Sequence, residues 1–128
     1  MIKLNLNIDY KIPDEFMKGP DGEPTTYVEL TVGYIGSAVA GKYEKGLTGS
    51  KTRMWGRIQR KFDEVIEKEK NFVELEDGEF EFVSKAVLDE NVPYKASAAK
   101  FIMLLQEEIE RVKFAGEEEE EPKKSKKK

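Results

Sequence analysis

The opening run of the chain constrains its fold most strongly. Ile2, Leu4, Leu6, Ile8, Tyr10 and Ile12 alternate without interruption with Lys3, Asn5, Asn7, Asp9 and Lys11. Successive side chains of an extended chain point to opposite faces, so a period of two predicts a strand with one buried and one wet face. That pattern suits an antiparallel sheet, because parallel sheets are covered on both sides and read as continuous apolar runs. Pro13 ends the run. Residues 13–26 then carry turn chemistry in Pro20-Asp21-Gly22 and Pro24. A connection of this length is long for a small domain, which is a trait of functional or mobile loops.

A second strand is expected over 27–35, with Val28, Leu30 and Val32 on one face and Tyr27, Glu29 and Thr31 on the other. Gly33 and Gly36 would bulge or end it. The glycine-rich stretch 37–50 allows a short helix near 37–43 and gives no firmer assignment. A long helix over 51–70 follows from Trp55, Ile58, Phe62, Val65 and Ile66, spaced by threes and fours, with Ser50 or Thr52 as its cap. Around Asp77-Gly78 two foldings compete. A two-residue hairpin pairs Leu75 with Phe80 and Val73 with Phe82, but it also sets Glu74 against Glu81 and Glu76 against Glu79. A strand to Leu75 followed by a helix from Asp77 avoids those like-charge pairs and is preferred.

A last helix over 93–114 would bury Ala98, Phe101, Ile102, Leu105, Ile109 and Val112, with Gly116 just past its end. Strands come first and helices later. The expected class is therefore α+β: a small antiparallel sheet from N-terminal strands packed against about three C-terminal helices. One domain over 1–116 is expected. The acidic run of residues 117–121 and the lysine-rich stretch 123–128 form a tail with no apolar surface to bury, expected to be disordered.

The chain has no cysteine and no histidine. Disulfide frameworks, Cys/His zinc sites and Cys–His or Ser–His nucleophile pairs are thereby excluded. The carboxylates show no spacing diagnostic of paired acid–base work or of an oxygen-ligand metal loop. No catalytic residue, cofactor or metal ligand is expected, and the reading is non-enzymatic. Residues 1–5 alternate in polarity without an apolar core, so no signal peptide is expected. No apolar stretch is long enough to span a membrane. A cytoplasmic location is expected, or the host cytoplasm for a viral protein.

Two glycine motifs are weaker than they look. Residues 36–42 match the spacing of a phosphate loop, but Tyr43 stands where a Ser or Thr should hold magnesium. Gly46-Leu47-Thr48-Gly49 has the spacing of a KH-domain backbone clamp, without the apolar residues that flank one. Charge segregation carries more. Between residues 41 and 61, Lys42, Lys45, Lys51, Arg53, Arg57, Arg60 and Lys61 face only Glu44, whereas residues 62–90 are predominantly acidic. These seven cations are the candidate binding residues. Such a stripe suits phosphates, with Tyr34, Tyr43 and Trp55 near enough in sequence to stack on bases. It also suits an acidic protein surface, or simple pairing with the acidic block that follows. Trp55 lies in line with Ile58 and Phe62, which places it in the core rather than on a stacking platform.

Short length, block-wise charge and the lack of an enzyme motif together resemble the small accessory proteins that tailed phages encode. That resemblance covers the whole chain in style and rests on no specific motif. It implies a regulatory or accessory factor whose partner is a protein. Nucleic-acid binding through residues 42–61 is the alternative, and a structural subunit of a self-assembly is the second. Neither partner identity nor oligomeric state follows from the sequence.

Overall fold

The alternating N-terminal run pairs as its pattern demands, over a shorter span. In a computed structural model, residues 1–19 and 21–125 are described, with side chains through Ala115. Strand β1 spans Ile2–Asn5 and pairs antiparallel with β2, Phe72–Leu75, in the register Ile2↔Leu75, Lys3↔Glu74, Leu4↔Val73 and Asn5↔Phe72. Leu4, Val73 and Leu75 point into the core, while Lys3 and Glu74 face each other outside. The ladder stops after Asn5, and the Asn71 carbonyl accepts from both Leu6 and Asn7 N–H. Beyond that point the period of two persists without a partner strand, and Leu6, Ile8 and Tyr10 remain buried.

The expected second strand is a helix. Thr26 caps α1, Tyr27–Lys42, its hydroxyl accepting from Glu29 N–H at 3.1 Å. The buried residues are Val28, Thr31, Ile35, Ala38 and Val39, a helical spacing that the 27–35 strand reading misses. Helix α2 spans Gly49–Glu67, close to expectation, and buries Ile58, Phe62 and Val65. The strand-then-helix alternative holds for 71–83. Helix α3 runs Asp77–Val87 directly after β2, and the Glu79 carboxylate reaches back to the Glu76 N–H at 2.8 Å.

A 3₁₀ turn, Ala96–Ala98, precedes α4, Ala99–Ser125. This final helix therefore starts six residues later than the 93–114 reading. Val92 is buried, its Cγ1 3.0 Å from where a Cβ on Gly41 would stand, and Tyr94 donates to the Val87 carbonyl. Those contacts spend residues 89–95 on a connection instead of a first turn. Ile102, Leu105 and Ile109 are buried, with Phe101, Leu104 and Val112 packed beside them. The acidic part of the expected tail and the start of its lysine run have a described backbone but undescribed side chains, and 126–128 lie outside the described residues.

The result is a small α+β fold. Helix α2 lies against β2, α4 lies against β1, and α1 packs mainly on α3. Residues 13–26 fold back on themselves through a 3₁₀ turn at Asp14–Phe16 and a bridge between Lys18 and Pro24. Among the described residues, no helix is long and apolar enough to cross a membrane.

Candidate functional site

Helix α2 is strongly two-faced. At about 100° per residue, Arg53, Arg57 and Arg60 fall within roughly 60° of one another, opposite Ile58, Phe62 and Val65. All three arginines are exposed. Their arrangement works against the helix. Arg53–Arg57 and Arg57–Arg60 are like-charge neighbours at i,i+4 and i,i+3, each unfavourable by about 0.2–0.5 kcal/mol. The first turn holds no acid and the last turn no base, the reverse of what the helix dipole favours. Glu64 and Glu67 continue the same face towards the C-terminus, so the stripe changes sign half-way along.

Tertiary packing divides the seven candidate cations. Lys42, at the end of α1, is bound to Asp89 at 2.5 Å, and that hydrogen bond, with one from Asn91 N–H, holds the Asp89 carboxyl below its usual range. Lys61 donates to Glu79 Oε1 at 2.5 Å. Arg57 Nε stands 3.9 Å from Glu79 Oε2, and its Nη2 lies 3.8 Å from Met54 Sδ. Lys51 covers the Tyr43 ring, its Nζ 5.1 Å from the centroid. Lys45 sits exposed in the turn between α1 and α2. Arg53 and Arg60 form no ion pair among the described residues. The stripe seen in sequence is thus partly neutralised by the acidic block that follows it; Arg53, Arg57 and Arg60 remain on the outward face of α2, with Lys45 exposed in the turn before it.

Glu79 was not singled out by the sequence reading. Its side chain is 2 % exposed. Burial pushes its carboxyl up, but the Lys61 hydrogen bond, the Glu76 N–H and the charges of Lys61 and Arg57 outweigh this and hold it below the usual range. Oε1 takes both hydrogen bonds, and Oε2 is buried without one. The available signal was a pair of glutamates three apart, Glu76 and Glu79, at the start of an apolar helical run.

The three aromatic residues near the stripe in sequence are half-buried and packed against the core. Trp55 stacks on Phe82 with centroids 6.1 Å apart and meets Phe62 edge-on; it is half-buried and packs against the core from its edge. Tyr43 stacks on the same Phe82, and Tyr34 on Phe101. Residues 36–42 lie within α1, where backbone N–H groups serve the helix, so the phosphate-loop spacing forms no cradle. Compared with protein-family models, with curated proteins and with solved structures, the chain finds no match in any of the three.

Proposed function

We propose that this chain is a non-enzymatic binding protein, an accessory or regulatory factor of the kind tailed phages encode. It captures a partner protein by docking an acidic surface against Arg53, Arg57 and Arg60 of α2. One observation carries the reading: three exposed arginines line one face of α2 as like-charge neighbours, and of the three only Arg57 has a carboxylate within ion-pair range among the described residues, Glu79 at 3.9 Å. A protein partner is favoured over nucleic acid because Trp55, Tyr43 and Tyr34 are half-buried, each already stacked on Phe82 or Phe101, and none stands exposed as a platform for bases.

The test is fluorescence anisotropy of the full chain with a labelled oligoglutamate peptide, single- and double-stranded DNA, and RNA, each at two salt concentrations. Binding to the acidic peptide should weaken with salt and be lost on reversing Arg53, Arg57 and Arg60 to glutamate, while the circular dichroism stays unchanged. Capture that survives the triple reversal sinks the proposal. Steep, salt-sensitive binding to nucleic acid alone would put the phosphate reading in its place.

A further inference from the structure

Glu79 joins α3 to the arginine stripe. It is the N3 residue of α3, and its Oε1 is saturated by Lys61 and the Glu76 N–H. Its Oε2 is buried with no hydrogen-bond donor among the described residues, and Arg57 Nε stands 3.9 Å from it. That separation is too long for a hydrogen bond but well inside the range of strong attraction between partly desolvated charges. Arg57 is therefore drawn inward without being locked. The guanidinium turns its Nε towards Glu79 and its Nη2 towards Met54 Sδ, and its side chain stays 57 % exposed.

We propose that Glu79 is a positioning residue of the docking face, which restrains Arg57 and so limits the positive charge that α2 presents. The inference rests on the function proposed above and names the internal competitor of the acidic partner. A partner carboxylate that meets the free edge of the guanidinium at bidentate distance outcompetes an ion pair at 3.9 Å, so Arg57 exchanges between Glu79 and the partner. Lys61 is held at 2.5 Å and stays with Glu79. Neutralising Glu79 releases Arg57 and removes a negative charge beside it, and both effects act in the same direction.

The experiment compares full-length wild type, Glu79→Gln, Arg57→Ala and the double variant. Affinity for labelled oligoglutamate is read at two salt concentrations, and urea midpoints are read in parallel. Glu79→Gln should be less stable than wild type yet bind several-fold tighter, with a steeper salt dependence. In the Arg57→Ala background that gain should shrink, the remainder coming from the lost negative charge and from Lys61, which Glu79→Gln also frees; an equal gain in both backgrounds overturns the role of Arg57. Affinity unchanged or lowered by Glu79→Gln in both backgrounds would mean a structural role alone and would overturn the proposal. A second readout needs neither a ligand nor a variant. In wild type, the Arg57 Nε–H should exchange with water more slowly than those of Arg53 and Arg60 by NMR. Equal exchange at all three overturns the restraint. Absence of peptide binding alongside slow Arg57 exchange would sink the docking reading and leave the restraint standing.

Discussion

Breaking the Lys61–Glu79 pair from its two ends should cost different amounts. Glu79 is 2 % exposed and Lys61 27 %, and the lysine carries its charge on a flexible stem. Lys61→Met removes the donor and leaves a carboxylate that cannot reach water. Stranding a buried charge in this way costs about 3–5 kcal/mol, and Arg57, already 3.9 Å away, can close part of the gap, which favours about 3 kcal/mol. Glu79→Gln keeps the volume, and its amide oxygen still accepts the Glu76 N–H. Lys61 then extends to solvent, so the loss is one charge-assisted hydrogen bond and an acid in the first turn of a helix, about 1.5–2 kcal/mol. Urea unfolding followed by the fluorescence of Trp55, the sole tryptophan, measures both. The pH dependence adds a second check. The folded Glu79 carboxyl lies below its unfolded value of about 4.3, so its contribution is complete above that value and is lost as pH falls through the folded one. In Lys61→Met the same carboxyl loses its lysine and keeps only the Glu76 N–H and Arg57 against its burial, so it protonates at higher pH than in wild type and the deficit against wild type should shrink in acid. The reasoning is refuted if Glu79→Gln costs as much as Lys61→Met at neutral pH, or if the deficit of Lys61→Met persists unchanged below pH 4.

Two further perturbations probe α1. A Cβ added at Gly33 or Gly36 meets nothing within 4 Å, so alanine at either should raise stability by about 0.5–1 kcal/mol through helix propensity. At Gly41 the added Cβ would stand 3.0 Å from the Cγ1 of buried Val92, and the same substitution should lower stability; equal urea midpoints for all three variants would contradict this. Thr31 donates to the Tyr27 carbonyl at 2.8 Å, so the Tyr10 hydroxyl, 2.7 Å from Thr31 Oγ1, must be the donor of that pair. Thr31→Val should cost about 1–3 kcal/mol by leaving the Tyr10 hydroxyl buried without an acceptor, and Tyr10→Phe added to it should recover part of the loss; a double variant no more stable than Thr31→Val would refute the pairing.

The arginine stripe was legible because a period near 3.6 is a local property: Trp55, Ile58, Phe62 and Val65 define the buried side of α2, and Arg53, Arg57 and Arg60 follow as the opposite side. The strand-then-helix reading of 71–83 was legible for a similar reason, since the hairpin would have faced glutamates across it. Residues 27–35 misled because Val, Thr, Tyr and Gly there satisfy a strand pattern over a short window. The cap Thr26-x-x-Glu29 stood in the sequence as the counter-signal, and only the longer sequence of buried positions to Val39 decides for the helix.

From its own residues the chain determined the alternating face of its N-terminus, the apolar stripe of α2, the lack of Cys and His chemistry, and the segregation of charge. Tertiary structure alone decided that the β1 ladder stops at Asn5, because its partner β2 supplies only four residues. It also decided which cations face solvent. Lys61 finds its carboxylate 18 residues on, at Glu79, and Lys42 finds Asp89 47 residues on. Periodicity reports which way a side chain leaves its own helix, whereas an ion pair depends on where another element comes to rest against it.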